Sequence, residues 1–359
     1  MHDQAPYRPY YYNLGDETGI ADLAAAWDFD FSPAALSTFR VWLHSQYASL
    51  TALNAEWGSH FATWDTVLPP TTTAAKQASN ENFAAWNNFK AFMDSAFADA
   101  LRAGTDAVHQ ADPTAKAAIE GAQIPGWGGY DYTKLSHAVD VMETFDAGNN
   151  VEIAHALNPA LTLLSTSGGS GAGEQHRIWH ELLQGERGLV VWDEDGSIVA
   201  PKGTPGPRGL AESATFNELR GGLGALLIAR RTQPGPVGIL YSAASFRLRW
   251  TLDHRADGDA WGQRGSEREG EDNATRLAMR RAAATLVHAG LQPSWLSHAM
   301  IAAGALRHGL RAVVLPDSLA LSPAESAKIR QFRARGGLVL ADGAPGIFAQ
   351  HGRRLPKPA

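Results

Sequence analysis

Hydrophobic and polar positions follow two different periodicities along this chain. Apolar residues at three- and four-residue spacing predict helices at 33–47 and 49–57 and a long helix over 82–110. After residue 115 the pattern changes to short apolar runs separated by helical segments, with strand candidates at 115–122, 139–145, 161–165 and 188–192. Strands that alternate with helices are typical of a parallel sheet covered by helices, so we expect an α/β fold.

A second region follows the proline- and glycine-rich segment 233–236. It combines strand candidates at 237–242, 313–316 and 338–341 with helical patterns at 274–289 and 323–335. This order is typical of a small doubly wound α/β domain. We therefore predict two domains, 1–232 and 233–359.

The first strand candidate is the aromatic stretch 10–14, which ends in Asp16, Glu17 and a glycine turn. Catalytic groups of β/α barrels lie at the carboxyl ends of the strands. A carboxylate there could act as general acid and base on a glycosidic bond. The alternative is an acidic turn or the start of a helix, where carboxylates are also favoured.

Further carboxylates follow later strand candidates. Glu143 lies in the strand at 139–145 and Glu152 in the loop after it, while Asp193 and Glu194 follow the strand at 188–192. Retaining glycosidases use two carboxyl groups about 5–5.5 Å apart, which neighbouring strand ends can supply. A simple turn is an equally good interpretation of 193–196.

Aromatic residues beside glycines and strand ends indicate a binding surface. Trp127, Tyr130, Tyr132 and Trp192 occupy such positions, with Asp131 between two of them. Flat apolar rings suit the faces of sugars, and we expect these side chains to be exposed around a site. Packing in the core is the alternative for each residue taken singly.

Composition excludes several classes of function. The formal charge of −6 argues against a general nucleic-acid binder, and the absence of cysteine excludes disulfides and thiolate chemistry. The sequence shows neither a signal peptide nor an apolar run of the ~18 residues that cross a bilayer, so we expect a cytoplasmic protein without a membrane partner. His176 and His180 lack the order of a zinc motif, so no metal or cofactor is expected.

Three segments give a resemblance to a known family. The run from Tyr12 to Glu17, the segment from Phe39 to Gly58 and the pair Trp64-Asp65 before Pro69-Pro70 are similar to family 42 glycoside hydrolases. That family consists of β-galactosidases with a barrel followed by a trimerisation domain of amidotransferase-like fold. The segments 238–242 and 335–342 resemble that second domain.

The resemblance implies roles for named residues. Glu17 would be the acid/base, at the end of the barrel's fourth strand, so that residues 1–232 would hold strands four to eight and the chain would be a fragment. Asp16 stands where the family has Asn, and the strand at 161–165 ends without the nucleophilic Glu, so the resemblance does not assign a nucleophile. Glu143 and Glu152 do not match the family position, and they are the candidates from the preceding strand and its loop. From their positions in the chain rather than from the resemblance, we expect contacts with the carbohydrate from Asn13, Asp16, Trp127, Tyr130, Asp131 and Trp192.

The leading hypothesis is a retaining glycosidase acting on β-galactosides or related glycosides, assembled as a homotrimer. A competing hypothesis is a non-catalytic carbohydrate-binding or assembly fragment of such an enzyme. A third is a phosphate- or nucleotide-dependent enzyme that uses the glycine-rich segment 168–173 between a strand and a helix.

Overall fold

The computed structural model describes residues 3–20, 28–145, 147–229, 235–265, 273–307 and 309–359. Contacts divide the chain into two compact units. The first comprises Met1–Thr18, Leu101–Ile124 and Ser136–Gln233, and the second Gly19–Ala100, Pro125–Leu135 and Pro234–Ala359.

The first unit contains a parallel sheet of five strands, in the spatial order of the chain. The strands are β1 (Tyr11–Asp16), β2 (Lys116–Ala122), β3 (Val141–Thr144), β4 (Thr162–Ser167) and β5 (Gly188–Val191). All five were predicted to within a few residues. Because neighbouring strands are parallel, their carboxyl ends share one edge of the sheet.

The described residues also form thirteen α-helices. They are α1 (Pro33–Gln46), α2 (Leu50–Trp57), α3 (Thr72–Lys76), α4 (Ala84–Ala111), α5 (Tyr132–Leu135), α6 (Asn150–Leu157), α7 (Gly171–Gln184), α8 (Pro207–Glu218), α9 (Gly224–Ala229), α10 (Ala243–Asp253), α11 (Ala274–His288), α12 (His298–Ala302) and α13 (Pro323–Ala334). Short 3₁₀ segments lie at Ala5–Tyr7, Trp64–Thr66, Arg255–Gln263 and Ala305–Arg307, and a π-turn at Leu219–Leu223 joins α8 to α9.

The two faces of β1 have different surroundings. Tyr12 and Leu14 pack against a buried cluster of Val108, Ala115 and Ala117. Tyr11, on the other face, packs against Ala118, Val141 and Leu164. Because side chains alternate along a strand, Asn13 shares the face of Tyr11, and Glu120 shares the face of Ala118. This second face carries the polar groups described below.

The second unit contains a four-stranded parallel sheet in the order β7-β6-β8-β9. The strands are β6 (Val237–Leu240), β7 (Pro293–Leu296), β8 (Ala312–Leu315) and β9 (Leu338–Ala341). Its core joins strand residues such as Leu240, Leu296 and Val313 to Ile329 and Phe332 of α13. The prediction omitted β7, which begins at a proline, a residue confined to edges and first positions of strands.

Parallel strands alternating with helices confirm the predicted α/β class. The domain boundary at 232/233 and the amidotransferase-like character of the second region stay predictions. Within the described ranges, each helix is too short or too polar to span a membrane.

Candidate active site

Glu17 follows β1 directly and has an unusual backbone conformation. Its φ is +47°, in the left-handed region that residues other than glycine rarely adopt. Its N–H donates to the carbonyl oxygen of Glu120 at 3.0 Å, which fixes the residue against β2. Its side chain is exposed at the carboxyl edge of the sheet. Strained backbone of this kind is concentrated at functional sites.

Gly121 lies next to the side chains of both Glu17 and Glu143. Its φ is +61°, and a Cβ atom here would lie 2.5 Å from Glu17 Cγ and 2.9 Å from Asp16 Oδ1. Its N–H donates to Glu143 Oε2 at 2.5 Å. Glu17 and Glu143 therefore contact the same residue, and a side chain at position 121 would displace Glu17.

Glu143 is buried on β3 and held by both neighbouring strands. Besides the Gly121 amide of β2, it accepts a hydrogen bond from Thr166 Oγ1 of β4 at Oε1, at 2.6 Å. The register places Glu143 opposite Leu164. Both of its oxygens are thus oriented by fixed donors.

Glu120 is a third carboxylate of this site, and the sequence analysis missed it. Its Oε1 accepts a hydrogen bond from the Tyr11 hydroxyl, and its Oε2 accepts one from Asn13 Nδ2 at 2.8 Å. Burial and the nearby charges of Glu120 and Glu143 raise the pKa of Tyr11 above its usual range. Glu120 is a charged residue within an otherwise apolar stretch of β2. That contrast could have identified it as a site residue from the sequence.

The remaining predicted carboxylates and amides have simpler surroundings. Glu152 lies in the first turn of α6 and accepts a hydrogen bond from Asn149 Nδ2 at 3.2 Å, the ordinary place of an acidic residue at a helix start. Asn13 also accepts from the N–H of Gly15 at 3.0 Å, which orients its amide toward Glu120.

Trp192 lines a cleft of about 620 Å³ at the ends of β4 and β5. Its side chain is 55% exposed, as expected for a binding residue. Arg208 forms part of the wall and donates to the carbonyl oxygens of Gly169 and Trp192, each at 2.5 Å. Asp193 accepts from the N–H groups of Ile198 and Val199, both at 2.9 Å, which is the turn that the sequence allowed.

The glycine-rich segment 168–173 offers little to a phosphate. Helix α7 starts at Gly171, whose N–H donates to Glu212 Oε1 at 2.6 Å. A buried carboxylate therefore occupies the amide that a phosphate would use. This contact weakens the nucleotide hypothesis.

The expected exposure of Trp127, Tyr130 and Tyr132 is wrong, because all three side chains are buried. Trp127 is 4% exposed and packs with Trp86, Phe246 and Trp250 in the second unit. Tyr130 is fully buried against Phe97. The glycines around them predicted an open loop, but the large rings fill the core of the unit.

Asp131 is also buried and ion-paired in the second unit. It accepts from Lys134 Nζ at 2.8 Å and from Thr133 Oγ1 at 2.7 Å. Burial by itself would raise its pKa, but the charges of Lys134 and Arg247 and these hydrogen bonds lower the pKa of Asp131 to about 2. The residue is an ionised structural carboxylate in this arrangement.

A comparison with protein families returns a match to part of the chain. Residues 16–151 match the family model of glycoside hydrolase family 42, described as beta-galactosidase. The match begins at Asp16 and includes Glu17, Glu120 and Glu143, whereas Glu152 and Trp192 lie outside it. A comparison with curated protein sequences returns no match.

Solved structures share the fold. The cold-adapted beta-galactosidase of Rahnella sp. R3 has a TM-score of 0.67 at 16% identity, over 99% of this chain and 55% of its own. The beta-galactosidase of the psychrophilic Marinomonas ef1 has a TM-score of 0.67 at 13% identity, over 92% and 55%. The family 42 exo-carrageenase of Bacteroides ovatus has a TM-score of 0.65 at 13% identity, over 95% and 50%.

The chain thus spans about half the length of these solved structures. It is similar to the family 42 glycoside hydrolases in sequence over residues 16–151 and in fold over most of its length.

Proposed function

We propose that this chain is a retaining glycoside hydrolase acting on β-galactosides or related glycosides, with Glu17 as acid/base and Glu143 as nucleophile. The observation that supports the proposal most is the shared contact of both side chains with Gly121. Two carboxyl groups close to one backbone position suit the short separation that retention requires.

Each carboxylate has surroundings that suit its role. The Glu17 side chain is exposed, so it can reach the oxygen of the leaving group and later a water molecule. Glu143 is fixed by the Gly121 amide and the Thr166 hydroxyl, so that one oxygen can attack the anomeric carbon without reorganisation. In the first step Glu17 protonates the leaving oxygen while Glu143 forms the glycosyl ester. In the second step Glu17 deprotonates the water that hydrolyses this ester.

Glu152 is a weaker candidate for the nucleophile. It lies in the first turn of helix α6 rather than on a strand, and Asn149 and the helix start account for its position. Glu120, by contrast, lies on strand β2 and orients Tyr11 and Asn13. We assign Glu120 a positioning role toward those two side chains. Tyr11 and Asn13, together with Asp16 and Trp192, would then contact the sugar.

Azide separates the two catalytic roles in one experiment. Glu17→Gln and Glu143→Gly should each reduce hydrolysis of an aryl β-galactoside by at least a hundredfold. With azide, Glu17→Gln should yield the β-galactosyl azide, because the nucleophile is intact, and Glu143→Gly the α-azide. Glu152→Gln serves as the control and should keep its activity. Full activity of Glu17→Gln or Glu143→Gly would overturn the assignment.

A non-catalytic carbohydrate-binding protein is the second candidate. It is favoured by the first sheet of the described residues, whose five strands are fewer than the eight of a closed β/α barrel. Calorimetric binding of galactose without turnover of the aryl galactoside by the unaltered chain would establish it.

We also propose that the chain assembles as a homotrimer, on the resemblance of its second region to a trimerisation domain. Light scattering after gel filtration should then give three times the chain mass of 38.4 kDa. A monomer mass would contradict this proposal and leave the catalytic one standing.

A further inference from the structure

Three side chains that are distant in sequence meet at the carboxyl edge of the second sheet. Ser242 follows β6 and is the N-cap of α10, His298 opens α12 after β7, and Glu325 lies in the first turn of α13 after β8. Strand β6 lies between β7 and β8, so the strand order reverses there. Crevices at such reversal points are the usual ligand sites of open α/β sheets.

The hydrogen bonds among these residues form a relay. His298 Nε2 lies 2.7 Å from Ser242 Oγ, and His298 Nδ1 is hydrogen-bonded to Glu325 Oε1. The other oxygen of Glu325 accepts from the N–H of Ser322 at 2.8 Å, which orients the carboxylate. Burial opposes the ionised form, but His298 and the donors of Ser322 lower the pKa of Glu325.

The relay has a definite direction. An ionised Glu325 can only accept, so His298 donates from Nδ1 and a neutral ring presents the lone pair of Nε2 to Ser242. Ser242 Oγ accepts from the N–H of Ser245 at 3.1 Å, and its hydroxyl donates to Ser245 Oγ at 2.8 Å. Nε2 of His298 lies 2.7 Å from the same oxygen, so rotation of the hydroxyl about its C–O bond turns the proton toward the imidazole.

We propose that Ser242, His298 and Glu325 are a nucleophile, base and orienting acid for the hydrolysis of small acyl esters, a second activity apart from the carboxylate site. The arrangement meets the criteria of a serine triad, which is recognised by geometry and roles rather than by position in the sequence. The N–H of Ser245 donates to Ser242 Oγ and that of Phe246 to the Ser242 carbonyl oxygen, so the amides of Ala243 and Ala244 at the start of α10 would supply the donors for the oxyanion.

The reaction balances with water as the only co-reactant. Ser242 Oγ attacks the carbonyl carbon and passes its proton to His298 Nε2. The bond to the leaving alcohol breaks, and the alkoxide takes that proton. Water then attacks the acyl-serine and gives a proton to His298, the Oγ–acyl bond breaks, and Ser242 recovers the proton. The products are a carboxylic acid and an alcohol.

Burial restricts the acyl group to a small one. Ser242 is 2% exposed, whereas the side chain of His298 is 30% exposed and connects the relay to solvent. An acetyl-sized group is therefore the expected substrate class, and we choose 4-nitrophenyl acetate and a small alkyl fluorophosphonate as probes.

Labelling tests the nucleophile directly. The fluorophosphonate should modify one serine of the unaltered chain, and peptide mass should identify it as Ser242. Ser242→Ala should abolish the labelling and His298→Asn should slow it at least tenfold. Ser49→Ala removes an equivalent N-cap in the same unit and should label normally. Absence of labelling, or unchanged labelling of Ser242→Ala, would overturn the proposal.

A cysteine variant tests the same residue even if Ser242→Ala fails to fold. Because the sequence contains no cysteine, Ser242→Cys introduces a single thiol. A thiol beside a functional imidazole should react with iodoacetamide at pH 7 at least tenfold faster than the same thiol in Ser242→Cys/His298→Asn. Equal rates would mean that the three residues only form structural hydrogen bonds between helix ends.

Glu325→Gln should lower kcat for 4-nitrophenyl acetate and leave KM unchanged, as for a positioning residue.

Discussion

Gly121 is the residue on which the proposed carboxylate site depends most. Its φ is positive, and a Cβ atom added at this position would lie only 2.5 Å from Glu17 Cγ. Both features exclude a side chain. Gly121 also donates to Glu143, so one backbone position contacts both proposed catalytic groups. A conformational cost at this position should therefore appear both in stability and in activity.

Replacing Gly121 with alanine tests this dependence. The left-handed backbone alone costs about 1–2 kcal/mol for an L-residue, and the contact with Glu17 adds to it. Displacement of Glu17 by about 1 Å should lower kcat/KM for an aryl galactoside by about a hundredfold. Gly173→Ala is the control, because a Cβ there meets nothing within 4 Å. Equal kinetics for the two variants would show that Glu17 does not depend on Gly121.

Asp131 gives a prediction on pH and stability. Its folded pKa of about 2 lies below the unfolded value of about 3.9, so ionisation stabilises the fold above pH 4. That contribution, about 2 kcal/mol, should fade as the pH falls from 4 to 2. The difference in urea-unfolding free energy between the unaltered chain and Asp131→Asn should therefore shrink over this interval. A difference independent of pH would contradict the assigned ion pair.

At the scale of elements, ion pairs and hydrogen bonds of buried carboxylates hold α7 against β4. Arg177 donates to Glu181 at 2.5 Å, to Glu174 at 2.9 Å and to the carbonyl oxygen of Thr166 at 2.7 Å. Ser165 and Ser167 of β4 are hydrogen-bonded to the same two carboxylates. Since Thr166 orients Glu143, the packing of α7 also supports the proposed nucleophile.

Removal of the Arg177 charge should destabilise the first unit strongly. Arg177→Met leaves two buried carboxylates without their cation, which typically costs about 3–5 kcal/mol. Urea unfolding followed by circular dichroism measures the loss. Arg220→Met, on the exposed turn after α8, should change the free energy by less than about 0.5 kcal/mol. If adding Glu174→Gln and Glu181→Gln to Arg177→Met restores no stability, unpaired charge is not the cause.

Periodicity predicted the elements well because each strand of the first sheet is a short apolar run between polar turns. It could not predict burial of the loop at 127–132, since glycines there allow large rings to turn into the core. Glu17 could be predicted as a site residue because it directly follows a strand in the sequence. Glu120 was missed because its partners Tyr11 and Asn13 are over 100 residues away.

At the scale of the whole molecule, the two proposed sites lie on different sheets. The carboxylate site uses strands β1 to β4, and the serine site uses the loops after β6, β7 and β8. Within the described residues the hydrogen bonds that define the two sites have no residue in common. No local sequence pattern could predict the serine site, because positions 242, 298 and 325 meet only through the strand order.

The two activities should therefore be separable in one polypeptide, because changes at sites without shared partners are usually additive. Glu17→Gln should abolish hydrolysis of the aryl galactoside and leave fluorophosphonate labelling of Ser242 unchanged. Ser242→Ala should abolish labelling and leave the kcat/KM for the galactoside within about twofold. Loss of both activities in either variant, with a native circular dichroism spectrum, would contradict independent sites. Labelling that survives in Glu17→Gln also shows that the lost hydrolysis reflects the missing acid/base rather than an unfolded chain.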